Sequence, residues 1–177
     1  SGGADQMGFM VGAAGLGAVG GTLYLASRSS VRGLVRLLTF ASLAAGLALM
    51  LLALARSLWS ALPLLAVIGF GILITSVSVN TILQTIVDDD KRGRVMSFYT
   101  AAFLGMAPFG SLAAGALADV IGAAGTLFIG GAACAACALF IYCRHPQIRA
   151  HIRPIYARLG IPPSRTAAAS EAAEERR

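Results

Sequence analysis

The chain has few charged residues. Only 12% of its 177 residues are Asp, Glu, Lys or Arg, while 57% are hydrophobic. A soluble domain carries about 25% charged residues, so this chain has about half the usual supply for a surface in contact with water. The composition therefore excludes an ordinary soluble domain and predicts an integral membrane protein.

Residue sets that bind metals or carry out catalysis are also lacking. Cys134, Cys137 and Cys143 lie in one apolar run, and both histidines lie outside it. Cys134 and Cys137 have the spacing of a redox or zinc pair, but no second ligand pair exists, so we interpret them as small packing residues. No His, Asp, Glu and Ser side chains converge at one depth, as catalysis would need. We expect no metal, no cofactor, no disulfide and no enzymatic activity.

The charge that is present is mostly positive, with a net charge of +6. Clustered cations bind phosphates, which raises the question of a nucleic-acid partner. Here the cations lie at the ends of apolar runs, without stacking aromatic residues between them and without a recognised nucleic-acid motif. We therefore expect a lipid bilayer, and no nucleic acid, as a partner of this chain.

Long apolar runs dominate the sequence. Five of them are long enough to cross a hydrocarbon core, which takes about 20 apolar residues. The sequence thus predicts an all-α integral membrane protein with five transmembrane helices, and the short gaps between runs predict antiparallel neighbours. The expected spans are 7–27, 37–55, 61–87, 95–118 and 123–143.

The positions of the cations predict the orientation. If the loop after the first span is cytoplasmic, all but one of the 14 Lys and Arg residues lie inside, and Arg56 lies outside. The N-terminus of this chain is then outside and its C-terminus cytoplasmic, in the cell (inner) membrane. We expect Asp90, Arg92 and Arg94 in a cytoplasmic loop, where the acid either pairs with a nearby arginine or is solvated.

The two ends of the chain differ from its middle. The start, SGGADQ, has no initiator Met and no signal-peptide pattern, and an odd number of spans with an external N-terminus predicts the C-terminal part of a longer protein. Residues 144–161 combine isoleucines at helical spacing with arginines, which predicts a basic amphipathic segment at the cytoplasmic surface of the membrane. Residues 162–177 have too little apolar surface to pack, so we expect disorder there.

Glycine is abundant, at 21 residues, and is frequent in the first and fourth spans. Small residues let helix backbones approach closely in lipid, so tight helix packing is the first interpretation. Pro108 removes a backbone hydrogen bond and predicts a kink in the fourth span. The matching placement of the two glycine-rich spans indicates an internal repeat of three helices. The glycines are Gly8, Gly12, Gly17 and Gly21 in the first span and Gly105, Gly110 and Gly115 in the fourth.

A polar stripe runs along the third span. Ser76, Asn80 and Gln84 stand four residues apart, with Thr81 and Thr85 beside them. Unpaired polar groups are costly in lipid, so the stripe should not face hydrocarbon. It either pairs with neighbouring helices or lines a water-filled cavity.

Ionisable side chains are lacking from the middle of every span. Such groups are the usual proton relays within membranes, and the nearest one is Asp119, at the outer end of the fourth span. Asp119 is therefore a candidate coupling residue. The alternative is a coupling acid in the missing part of a longer protein, with Asp119 only a solvated carboxylate at the membrane interface.

Three stretches of the sequence resemble a known family. They resemble the major facilitator superfamily (MFS), and within it the drug- and siderophore-exporter branch of enterobactin-exporter-like proteins and transmembrane secretion effectors. The resemblance covers about 5–144 and matches helices 8–12 of a twelve-helix fold. The stretches are Asn80-Thr81 with Gln84, the run RGRVMS that begins at Arg92, and G-x-x-P-x-G-S from Gly105, followed by Gly115, Asp119 and Gly122.

The resemblance implies a proton-driven exporter of small molecules that works by alternating access between two six-helix halves. The missing N-terminal half of the same transporter would then be a partner of this chain. The third span would line the central cavity, which places Ser76, Asn80, Thr81 and Gln84 on the substrate path. The glycine-rich first and fourth spans would lie between the halves and slide during the switch. The loop after the first span departs from the family's pattern, because it lacks the acidic residue of the cytoplasmic motif.

A different class of function also fits the sequence. The chain would then be a non-transporting membrane scaffold or assembly partner, and the polar stripe would only join helices.

Overall fold

The computed structural model describes residues 3–27, 33–87 and 89–158, with side chains up to Arg144. The described chain is helical: α1 is Gly3–Ala26, α2 is Leu34–Leu54, α3 is Leu58–Ile86 and α4 is Asp89–Arg158. It forms two compact units, Ser1–Tyr142 and Cys143–Arg177. The described part of the second unit, 143–158, is helical. The expectations for the loop residues 28–32, for Asp88 and for the tail from 159 onward lie outside the described residues.

In the part of the chain that the structure describes, four helices are long and apolar enough to cross a membrane, so the prediction of five separate helices is wrong. The spans expected at 95–118 and 123–143 belong to one element, α4. Residues 119–121, which lie between these two expected spans, are helical, and Gly122 alone within α4 departs from helical angles, with φ 79° and ψ 163°. Essentially only glycine adopts this conformation. The single residue Gly122 therefore bends the helix, whereas a chain without glycine there would need a short loop for the same change of direction. We call 89–121 the first arm and 123–142 the second arm of α4.

The segment between α3 and α4 is shorter than the sequence indicates. Helix α4 begins at Asp89, so Asp90, Arg92 and Arg94 lie in its first two turns and not in a loop. Acidic residues are favourable there, because the N-terminal end of a helix carries partial positive charge. Pro108 keeps helical backbone angles, and the irregularity expected near it lies at Gly122 instead.

Helix α3 packs against α1 through small residues. Gly17 of α1 lies directly against the backbone of Ala66, and Gly69 of α3 lies against the backbone of Ala14. Tyr24 and Phe70 continue the contact, with ring centroids 6.1 Å apart. Any side chain at either glycine would overlap backbone atoms, so the close approach depends on glycine.

Helix α2 packs against the other side of α3. A Cβ at Gly71 would lie 2.7 Å from the carbonyl oxygen of Ala41 and 2.7 Å from the Cβ of Ala45. One turn further along α3, Ser42 and Thr75 form a hydrogen bond across the two helices. Because the contact lies far from the short connection 55–57 in both helices, the chain runs back along itself and the two helices are antiparallel. Ile74, fully buried, lies in the same turn of α3 as Thr75.

The second arm of α4 packs on α2. A Cβ at Gly46 would lie 2.8 Å from the backbone nitrogen of Ala135, and one at Gly131 would lie 2.6 Å from the carbonyl oxygen of Gly46. Nearer the end of the arm, Phe40 and Tyr142 pack with ring centroids 6.1 Å apart. The helices of the first unit thus lie in the order α1, α3, α2 and second arm, each touching the next through small residues.

The first arm differs from the other helices. Every residue from 101 to 116 is exposed, and among these are large apolar side chains such as Phe103 and Phe109. A Cβ at Gly105, Gly110 or Gly115 would meet no atom within 4 Å. The arm thus presents its glycines outward in the described structure.

Gly131 and its neighbour Gly130 allow a matched test of the packing on α2. We expect Gly131→Ala to lower the melting temperature, since the new methyl group would lie 2.6 Å from the Gly46 carbonyl oxygen, and overpacking costs about 1–3 kcal/mol. Gly130→Ala meets no atom within 4 Å and should leave the melting temperature unchanged or slightly raised, because alanine is the better helix former. Thermal unfolding of the full chain in detergent, followed by circular dichroism, measures both. Equal values for the two variants would contradict the close contact.

Candidate functional site

The polar stripe lies in the last three turns of α3. Ser76 and Asn80 are half-buried and Gln84 is exposed. The amide nitrogen of Gln84 donates to the amide oxygen of Asn80 over 3.2 Å. These two side chains thus form a pair along the surface of one helix, and each amide keeps hydrogen-bonding capacity beyond that bond.

The two threonines beside the stripe are satisfied within their own helix. Thr81 donates to the carbonyl oxygen of Val77, and Thr85 donates to that of Thr81, each over 2.8 Å. For the described residues, no hydrogen bond joins Asn80, Thr81, Gln84 or Thr85 to another helix. The stripe is therefore not what ties α3 to its neighbours.

A different polar contact does join helices. The hydroxyl oxygens of Ser42 and Thr75 lie 2.8 Å apart, between α2 and α3. The thiol of Cys134 donates to the carbonyl oxygen of Ser42 over 3.5 Å, which links the second arm to the same place. This contact was not predicted from the sequence. The available signal was Thr75 four residues after Gly71, because that spacing puts a hydroxyl on the face that glycine leaves open.

Buried hydroxyl groups accompany this contact. Thr39 is 2% exposed and donates to the carbonyl oxygen of Val35 over 2.7 Å. Ser78 is fully buried, and its hydroxyl has no hydrogen-bond partner among the described residues. Polar groups of α3 thus occupy two places, an amide pair at the surface and hydroxyls in the packed interior.

The glycines singled out in the sequence divide into two groups. Gly17 and Gly21 lie against α3, and a Cβ at Gly21 would be 3.2 Å from the carbonyl oxygen of Phe70. The other members of the set have no atom within 4 Å of an added Cβ: Gly8, Gly12, Gly105, Gly110 and Gly115. Pro108 is exposed in the first arm, and its carbonyl oxygen accepts a hydrogen bond from Ser111.

The charged candidates lie along the first arm. Asp119 is exposed, three residues before the kink at Gly122. Asp90, Arg92 and Arg94 are exposed at the opposite end of the arm. At 1.5 Å rise per residue, about 40 Å of helix separates Asp90 from Asp119, so these groups do not form one site.

The three cysteines are free thiols in the structure. Cys134 is half-buried, while Cys137 and Cys143 are exposed. The described partner of Cys134 is the carbonyl oxygen of Ser42, which fits a thiol in a helix contact.

These observations define the class of protein. The described chain is helical, four of its helices have the length and apolar character of membrane spans, and polar side chains occupy both the interior and the surface of α3. It is a multi-span helical membrane protein.

Comparison with known families narrows the class. The family model described as transmembrane secretion effector matches residues 1–163. The chain belongs to this family, which is an MFS-type family of transporters rather than enzymes. No curated protein and no solved structure matches the chain significantly.

The contact between Ser42 and Thr75 can be measured by a double-mutant cycle. We expect Ser42→Ala and Thr75→Val to be non-additive by about 0.5–1.5 kcal/mol, the range of interhelical hydrogen bonds in membrane proteins. Unfolding free energies of the single and double variants in mixed micelles give the coupling. As a control, Ser42→Ala and Thr81→Val should be additive, because Thr81 bonds within its own helix. Additivity in both cycles would contradict the contact.

Proposed function

We propose that this chain is the C-terminal part of a secondary transporter that exports small molecules, of the drug or siderophore type, by proton-driven alternating access. The main support for this proposal is the hydrogen-bonded pair of side chains formed by Asn80 and Gln84. Two amides in a membrane helix, bonded to each other and to no described neighbouring helix, suit a surface that contacts water and polar substrate. Ser76 and Thr81 would extend that surface.

The orientation that fits this proposal places the N-terminus of the chain outside and the C-terminus in the cytoplasm. The cations at the start of α4, among them Lys91 and Arg94, would then lie at the cytoplasmic side of the cell (inner) membrane. Asp119 and Gly122 would lie at the outer side, where the chain turns back. The helical segment 143–158 would leave the membrane on the cytoplasmic side.

A second half of the same transporter is the proposed partner. The first arm exposes all residues from 101 to 116, including Gly105, Pro108, Gly110 and Gly115. Small residues on an exposed membrane helix suit close contact with another helix. Gly8 and Gly12 of α1, which have no atom within 4 Å of an added Cβ, would contact the second half in the same way. The two halves would slide along these glycine-rich faces when the transporter changes from inward-facing to outward-facing.

The competing proposal is a scaffold that transports nothing. The exposed first arm fits an assembly partner as well as it fits a second half of a transporter. The two proposals differ at the amide pair, which a scaffold would not need.

Export by whole cells distinguishes the two proposals. Asn80→Ala combined with Gln84→Ala in the full-length gene should reduce export of a fluorescent dye about thirtyfold, since each of the two lost hydrogen bonds to a passing substrate is worth about 1 kcal/mol. Thr22→Val is the matched control, because it removes an exposed span hydroxyl that bonds its own helix. Dye efflux at equal protein level in the membrane is the measurement. Unchanged export by the double variant would overturn the proposed path.

Asp119 is the proposed coupling acid, and its role is tested separately. Asp119→Asn keeps the size of the side chain but cannot exchange a proton, so we expect export against a gradient to be lost while downhill movement of dye persists. Asp5→Asn, at an exposed acid in the first turn of α1, is the control. Dye fluxes are compared with and without a protonophore. Uphill export by Asp119→Asn that a protonophore still abolishes would show that another residue couples transport.

A further inference from the structure

The contacts between α1 and α3 fix how far each helix reaches relative to the other. Gly17 lies against Ala66, and four residues later Gly21 lies against the carbonyl oxygen of Phe70. Because both positions advance by four residues, the two helices run in the same direction. The contact of Gly21 extends to Ile74, whose side chain would lie 3.5 Å from an added Cβ. The ends of α1 and α3 can therefore be compared along one direction.

Helix α3 continues past the end of α1. After Gly21, α1 has five more residues and ends at Ala26, whereas Gln84 stands ten residues after Ile74. At 1.5 Å per residue, these lengths are about 8 Å and about 15 Å. Gln84 thus lies about 7 Å beyond α1, while Asn80, six residues after Ile74, lies about level with the last turn of α1.

The amide pair continues the face of α3 that packs on α1. A Cβ at Gly21 would lie 3.5 Å from the side chain of Leu73 and 3.2 Å from the carbonyl oxygen of Phe70. Asn80 follows Leu73 by seven residues, and Gln84 follows Phe70 by fourteen. Residues seven apart lie on nearly the same face of a helix. The face that α1 covers near Phe70 therefore carries the two amides where α1 comes to its end.

Helix α2 does not cover this face either. Gly71, which contacts α2, stands nine residues before Asn80. Thr75, which also contacts α2, stands nine residues before Gln84. Nine residues are two and a half helical turns, so α2 and the amides lie on opposite sides of α3. Gln84 is accordingly exposed and Asn80 half-buried.

We propose that the pair of Asn80 and Gln84 is the place where substrate first binds, open to the cytoplasm beyond the end of α1. This inference rests on the proposed transport function, whose orientation puts the end of α3 at the cytoplasmic side. Beyond their mutual bond, Asn80 retains two N–H donors and Gln84 retains its carbonyl oxygen. The pair therefore suits a substrate group that both donates and accepts hydrogen bonds, such as an amide or a hydroxyl.

The reactivity of introduced cysteines tests the opening. In inside-out vesicles that hold the full-length protein, a membrane-impermeant maleimide should label Gln84→Cys at least about tenfold faster than Leu73→Cys, because it reacts with accessible thiols. Leu73 is the matched control, since it lies on the same face beneath α1. Ser27→Cys, at an exposed residue directly after α1, reports on which side of the membrane this end lies. Mass spectrometry of the labelled peptides separates these sites from the native cysteines.

The expected result is labelling of Gln84→Cys and Ser27→Cys from the cytoplasmic side. Equal rates for Gln84→Cys and Leu73→Cys would overturn the inference, and so would labelling of Gln84→Cys only from the side opposite Ser27→Cys. Labelling of both only from outside would overturn the cytoplasmic opening together with the orientation. Should Leu73→Cys not fold, the labelling rate in detergent-unfolded protein is the reference, and a Gln84→Cys rate far below it would count against the opening.

The dependence of transport on dye concentration tests binding at this place. Gln84→Ala should raise the dye concentration for half-maximal uptake into inside-out vesicles about fivefold, and change the maximal rate less, because it removes a hydrogen bond of initial binding. Thr22→Val, which removes a hydroxyl bonded within its own helix, is the control. An unchanged half-maximal concentration would overturn the entry site. Loss of export in the double variant of Asn80 and Gln84 would still support the transport path, so the two failures are distinguishable.

Discussion

Contact between helix backbones at small residues is the constraint on which the rest of the structure depends. Moving an apolar side chain from lipid into a helix contact gains little free energy, because both surroundings are apolar. Helices in lipid therefore associate through close packing and interhelical hydrogen bonds. Gly17 against Ala66, Gly71 against Ala41 and Gly46 against Gly131 supply that packing at three successive contacts. The bond between Ser42 and Thr75 follows from it, because two short side chains reach each other only where their backbones are already close.

The same close packing decides which polar side chains of α3 lie inside the contact with α2 and which lie elsewhere on the helix. Where α3 meets α2, hydroxyls are small enough to lie inside the contact, as Thr75 and Ser78 do. The larger amides of Asn80 and Gln84 would not fit between backbones in contact, and they lie on another side of the helix, near its end. One helix thus carries both an interior polar contact and a polar surface, and the two need not serve the same purpose.

The sequence predicts the helical membrane architecture well, because length and apolar composition decide it without knowledge of neighbours. It is less informative about contacts. Gly17 and Gly21 are among the glycines named from the sequence and do meet α3, whereas Gly46, Gly71 and Gly131 are not in that set, and their role depends on which helix lies opposite. The number of separate helices was predicted wrongly for a related reason. A change of direction at Gly122 requires a single residue with positive φ, and nothing in the flanking sequence distinguishes that from a short loop.

The bend at Gly122 also limits how the protein can be altered. With helix on both sides of one residue, there is no surface segment between the two arms where a protease would find an extended substrate or where an epitope tag would hang free. Each inserted residue would either lengthen an arm or displace the glycine that allows the bend. Reporters of membrane topology are better placed in the segment 55–57, between α2 and α3, where the chain is not helical.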